Sequence, residues 1–179
     1  MDAKASPVIW RSIGGATDGP PRSIRLLDRM GIAMRLETTR FGAIDVDSES
    51  ILLFPNGLLG FEAHRHWILL AESDTESVGW LQSLNDVAVS IAVVTPQAFV
   101  PQYALRIHRS HLTSLPWAPG DEALVLAVVS EHEGEFTLNL RAPLLLNLRR
   151  GLGQQVITAD EQPVRFVLSS QPSFMRKSA

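Results

Sequence analysis

From residue 34 to residue 168 the chain alternates short apolar, β-branched runs with turn residues, and this rhythm most constrains what it can fold into. Strands are expected over 34–40, 43–46, 50–54, 66–71, 78–82, 88–94, 103–107, 123–129, 135–140, 144–148, 153–157 and 164–168. Residues 123–129 are apolar without a break and carry three valines, as in a central strand covered on both faces. Phe136, Leu138 and Leu140 alternate with Thr137, Asn139 and Arg141, the pattern of one buried and one wet face. Helical signal is confined to residues 110–115, where Ser110 can cap a short turn that Pro116 ends. The expected fold class is all-β: a single-domain, β-barrel-like fold with at most one or two short helices.

Residues 51–62, Ile-Leu-Leu-Phe-Pro-Asn-Gly-Leu-Leu-Gly-Phe-Glu, are free of ionisable side chains until Glu62. Pro55 stops a strand running into Phe54, and Asn56-Gly57 supplies the positive φ of a tight turn. Gly60 adds a second bend before Phe61. Such a segment shapes a surface rather than reacting.

Residues 1–33 read as a tail, an N-terminal extension or the product of a misplaced start, since Gly14-Gly-Ala-Thr-Asp-Gly-Pro-Pro21 sustains neither helix nor strand. The organisation expected is therefore a disordered leader (1–33), one β domain (34–168) and a flexible C-terminal tail (169–179). The leader carries five basic and three acidic residues, whereas the remainder carries eleven basic and sixteen acidic, a net of −5. An acidic body argues against direct nucleic-acid binding, which needs a clustered basic face, and suits a basic protein partner. The N-terminus has no apolar signal core, and no apolar run is long enough to span a bilayer, so a cytoplasmic protein without a membrane partner is expected.

No active site is legible. The chain has no cysteine, which excludes thiolate metal sites and cysteine nucleophiles. His64 and His66 share a strand face beside Glu62, His108 and His111 lie three apart, and His132 sits between Glu131 and Glu133. Solvated turn positions account for all five histidines better than a metal site, which needs three or four converging ligands. Glu131-His-Glu-Gly-Glu135 reads as a hairpin tip, not an acid–base pair. Arg150-Gly-Leu-Gly-Gln154 lacks the strand-to-helix context of a phosphate loop. Neither catalytic residues, nor a metal, nor a cofactor is expected, and the chain does not read as an enzyme. The alternative is a small-molecule-binding β-barrel or a hydrolase with a site around Glu62, His64 and His66.

Recognition-type groups remain. Trp80 and Gln82 share one strand face, so either Gln82 is a buried, satisfied glutamine beside a core tryptophan, or Trp80 is an exposed anchor. Arg149 and Arg150, with Arg141, form the clearest basic concentration in the body.

Taken together, Thr39-Arg-Phe-Gly42, residues 51–62, Trp80-Leu-Gln-Ser83, Thr95-Pro96 before Tyr103, Thr137-Leu-Asn-Leu-Arg-Ala-Pro143 with Asn147, and Arg150-Gly151 before Gln154-Gln-Val156 resemble, in order, the flagellar assembly factor family FliW. The resemblance covers residues 34–168. It implies a non-enzymatic β-barrel-like protein that binds CsrA, a dimeric RNA-binding translational repressor, relieves its repression of flagellin messenger RNA, and also binds flagellin. The family's second glycine turn often carries proline where Leu59 stands, and the segment after Tyr103 is less acidic than usual. The family motifs mix folding and binding roles, so no set of contact residues is carried over; Gln82, Asn139, Arg141, Asn147 and Gln154 are the polar motif positions most worth testing for partner contact.

Overall fold

The computed structural model describes residues 8–10, 33–71, 78–112, 115, 121 and 123–168; among these, regular structure is all strand apart from four single-turn 3-10 segments. In chain order the strands are β1 (Val8–Trp10), β2 (Ala33–Thr38), β3 (Gly42–Asp47), β4 (Ile51–Leu53), β5 (His66–Ala71), β6 (Val78–Ser83), β7 (Ser90–Val94), β8 (Leu105–Ile107), β9 (Leu124–His132), β10 (Glu135–Leu138), β11 (Leu144–Asn147), β12 (Leu152–Gln155) and β13 (Phe166–Val167). The helix-like turn expected around Ser110 is the 3-10 segment Arg109–His111.

Seven strands close on themselves in the order β11-β12-β4-β5-β6-β7-β9, with β9 returning to β11. Closure removes the open edges that such short strands would otherwise expose. Every pairing in the ring is antiparallel except β12 with β4, where Leu152 faces Leu53. β9 runs on beyond the ring into a hairpin with β10, to which β13 adds. Glu133 and Gly134 turn that hairpin with φ of 52° and 80°, the paired positive values of a type I′ turn.

Alternation along the wall sorts the apolar residues into two buried clusters, one on each face. Leu52, Trp67, Leu81, Val93, Leu126, Leu144 and Leu146 fill the interior with Phe54. β12 contributes Gly153 there, and a Cβ at that position would collide with the wholly buried Phe54 ring. The outer face carries Trp80, Ala92, Val94, Val125, Ala127, Val129 and Leu145, covered by Leu105 and Ile107 of β8 and by Phe136 and Leu138 of β10. β9 therefore feeds both clusters, which is why its sequence shows no alternation. Thr137, expected on a wet face, is buried instead: β10 lies between β9 and β13, and the Thr137 hydroxyl donates to Ser130 O at 3.4 Å.

One strand lies where the sequence indicated only a tail. Val8–Trp10 pairs antiparallel with β8, whose backbone needs a partner and meets three residues that favour strands. The rest of the leader before Ala33 and the C-terminal residues 169–179 lie outside the described residues.

A candidate protein-interaction surface at one end of the barrel

Strand directions gather several connections at one end. β4, β6, β9 and β12 run toward it and β5, β7 and β11 away from it, so residues 54–65, 84–89, 139–143 and 156–158 all lie there.

The β4–β5 connection is fixed by its own backbone and by two side chains. Gly57 N–H donates to Phe54 O at 2.9 Å and Phe61 N–H to Leu58 O at 2.7 Å. Gly57 has φ +68°, and a Cβ there would meet Glu62 Cα at 2.5 Å, so no other residue fits. The Glu62 carboxylate accepts from Gly60 N–H at 2.9 Å; that bond, followed by its own N–H, holds its pKa below the ordinary glutamate value. Gln155 Oε1 accepts from Leu59 N–H at 2.8 Å while its Nε2 donates to Ala142 O at 3.0 Å, tying the loop to the entry of β11. Leu59 is thereby held 76% exposed on a braced turn.

The β6–β7 connection beside it is braced from below. Gln82, wholly buried, aims Nε2 at Ser83 O (3.0 Å), Val87 O (3.2 Å) and Val89 O (3.1 Å). Ser83 Oγ accepts from Asn85 N–H at 3.1 Å and Asp86 N–H at 3.2 Å, and meets His64 Nδ1 at 2.9 Å. Asn85 Oδ1 accepts from both Arg65 and His66 N–H at 3.1 Å. The two loops are one hydrogen-bonded unit. The β2–β3 turn docks on it: Thr39 N–H donates to Val87 O at 3.2 Å, and the Arg40 guanidinium lies 3.6 Å above the Trp80 ring. Leu59, Val87 and Ile157 are large exposed apolar residues that share this end.

Trp80 and Gln82 take the buried option: Trp80 is core and Gln82 is satisfied at Nε2. Asn139 Oδ1 accepts from Ala142 N–H at 2.9 Å, shaping the turn into β11. Arg141 Nη1 donates to Asp160 O at 3.1 Å, holding the segment after β12. Asn147 is wholly buried; Nδ2 donates to Asp121 Oδ2 at 3.0 Å and Oδ1 accepts from Arg150 N–H at 3.2 Å. Gln154 Nε2 donates to His111 O at 2.5 Å. The structure thus brings Gln82, Asn139 and Arg141 together as supports at or behind one end, whereas Asn147 and Gln154 secure the β8–β9 connection elsewhere.

Glu62, His64 and His66 do not converge. The Glu62 carboxylate is turned to Gly60, His64 packs on Phe61 and Trp67 with ring centroids 5.7 and 5.9 Å away, and His66 is exposed. Among the described residues no group of three or more His, Asp or Glu is placed to hold a metal ion.

The sequence reading missed two features. Arg150, half-exposed, and Arg149, exposed, pair with Asp121 at 2.7 and 3.9 Å, and the Asp121 side chain is only 1% exposed. Nothing in local spacing signals a pairing across 29 residues. The exposed Leu59 carried a weak signal, an apolar residue held between two glycine turns.

The whole barrel has relatives. The sequence model of the FliW protein family matches residues 35–168. The chain belongs to the FliW family. It is 36% identical over 135 residues to the flagellar assembly factor FliW of Leptospira biflexa, covering 73% of this chain and 87% of that protein. The FliW of Syntrophus aciditrophicus is 30% identical over 145 residues, covering 79% and 92%. A crystal structure of the flagellar assembly factor FliW superimposes with a TM-score of 0.71 at 25% identity, covering 76% of this chain and 98% of that one. The braced loops described above fall within the FliW-matched region.

Proposed function

We propose that this FliW-family chain is a cytoplasmic, non-enzymatic protein-binding regulator of flagellum assembly that binds flagellin and a CsrA-type translational repressor. The observation that carries the reading is the family relation over the entire closed barrel. The relatives are named flagellar assembly factors. Flagellin and CsrA as partners follow from the motif resemblance. The switch is an exchange of partners: flagellin occupies the protein until export depletes it, and the freed protein then sequesters the repressor and lifts its block on flagellin messenger RNA.

The contact surface proposed is the end that carries Leu59, Val87 and Ile157, apolar side chains on hydrogen-bonded loops. Rigid apolar groups of this kind bind with little ordering cost. Gln82, Asn139 and Arg141 act in this reading as positioning residues, setting the loops rather than touching the partner. The net charge of −5 over residues 34–179 speeds encounter with a basic partner.

The test is a competition. The full chain is titrated with the organism's own CsrA-type protein, and its flagellin is then added to the complex. Saturable binding that flagellin reverses supports the exchange. Binding of neither protein, by heat or co-elution, removes the reading.

A further inference from the structure

β1 lies outside the family-matched region, which begins at residue 35, and the solved FliW chain superimposes over 98% of its length with only 76% of this one. In this chain β1 fills the edge of β8, with Val8 opposite Ile107, Ile9 opposite Arg106 and Trp10 opposite Leu105.

The register fixes which groups bond. The N–H and C=O of one strand residue point to the same side, and successive residues alternate. The backbone of Arg106 faces away from β1, because its O accepts from Ala159 N–H at 2.7 Å. Leu105 and Ile107 therefore present their N–H and C=O groups to β1, and Val8–Ile107 and Trp10–Leu105 are the hydrogen-bonded pairs. The side chains of Leu105 and Ile107 are wholly buried in the outer cluster, so this edge is fixed from behind.

The geometry points to the β8 edge as a strand-acceptor site, which Val8–Trp10 occupies in cis as an exchangeable plug and which takes, when the plug leaves, an extended apolar segment of another protein. β1 is short, three residues against the usual five or six, and each of its backbone bonds contributes about 1 kcal/mol net. β1 belongs to the same chain as β8, so an external strand competes with an intramolecular one. The occupant's chemistry is read from the plug: uncharged, β-branched or aromatic, and extended, so that main-chain bonds supply affinity, as in strand addition generally. This site does not depend on flagellin or CsrA being partners.

The test uses the full chain and proline substitutions that the register distinguishes. Val8→Pro and Trp10→Pro each remove an N–H aimed at β8, whereas Ile9→Pro removes one aimed away. Amide hydrogen exchange at Leu105 and Ile107 is read by NMR, and a fluorescein-labelled peptide of residues 5–13 serves as the external strand. In Val8→Pro and Trp10→Pro both amides lose protection, by roughly tenfold or more, while Ile9→Pro stays near wild type. The peptide binds Val8→Pro at least roughly tenfold more tightly than wild type, where it competes with the tethered plug. Protection unchanged in Val8→Pro, equal loss in Ile9→Pro, or no peptide binding to Val8→Pro overturns the proposal. A wild-type dimer that becomes a monomer in Val8→Pro assigns the strand to a second copy and overturns occupancy in cis.

Discussion

Replacing Gln82 by methionine keeps the side chain's length while removing its amide, and isolates how much the buried brace contributes. The two N–H donors of Nε2 are shared among the Ser83, Val87 and Val89 carbonyls. At about 0.5–1.5 kcal/mol per donor, their loss is bounded at about 1–3 kcal/mol. Two effects lower that figure. Val87 O keeps Thr39 N–H and Val89 O keeps Ser83 N–H, so neither carbonyl is orphaned. Gln82 Oε1 has no hydrogen-bond partner among the described residues, so deleting it relieves a desolvation cost of about 1 kcal/mol. The net expectation is a loss of about 0.5–2 kcal/mol. With a urea m-value of about 2 kcal/mol/M, the unfolding midpoint of the full chain falls by about 0.25–1 M. Amide exchange should accelerate at Thr39 and Val89, whose bonds rest on the same loop. An unchanged or raised midpoint refutes the brace. A normal midpoint combined with lost partner binding would make Gln82 a contact residue instead.

Four further substitutions test other parts of the fold. Gly57→Ala places a Cβ 2.5 Å from Glu62 Cα at φ +68° and should cost about 3 kcal/mol or more by chemical denaturation; Gly134→Asn, at φ +80° with nothing within 4 Å, should cost less than about 1 kcal/mol. Arg150→Gln removes the 2.7 Å partner of the nearly inaccessible Asp121 carboxylate and should destabilise by about 2–4 kcal/mol, discounted for the partial exposure of Arg150. Burial, then the nearby Asp160 charge, raises the pKa of Tyr103, whose hydroxyl donates to Leu140 O at 3.0 Å. The folded chain thus keeps a proton that the unfolded chain releases. Its stability contribution is whole below the ordinary tyrosine value of about 10 and declines as pH rises beyond it, by at most about 1.4 kcal/mol per pH unit. Alkaline unfolding of Tyr103→Phe should lack that slope, and an identical slope in both proteins would contradict the assignment.

The strands were legible because each is local: an apolar run places β5, and apolar runs with a proline or asparagine at their ends place β7 and β11, within a residue or two of the expected bounds. A barrel-like fold was expected, but not which strands close the ring, since that depends on β9 pairing with both β7 and β11, contacts between residues far apart in sequence. The motif residues showed where the sequence carries polar groups worth attention but not what they do. Gln82 and Asn147 were among the positions to test for contact and lie wholly buried, Gln82 donating to loop carbonyls and Asn147 to the Asp121 carboxylate; a buried amide of this kind looks, in one dimension, like one that meets a partner. Asp121 stayed hidden because its partners are 26 and 29 residues away. The leader gave no cue to β1, for Val-Ile-Trp is too short a run to stand out from its polar surroundings.

The central claim, that the braced end of the barrel is where this protein binds its partner, is tested most directly by calorimetric titration of the organism's flagellin into the full chain and into Leu59→Asp. Leu59 is 76% exposed and its backbone N–H is engaged by Gln155, so the substitution should leave the unfolding free energy within about 0.5 kcal/mol of wild type. Flagellin affinity should fall at least roughly tenfold, as for a central apolar anchor. Equal affinity of the two proteins for flagellin, with wild-type stability in both, would contradict the account and move the contact surface away from this end.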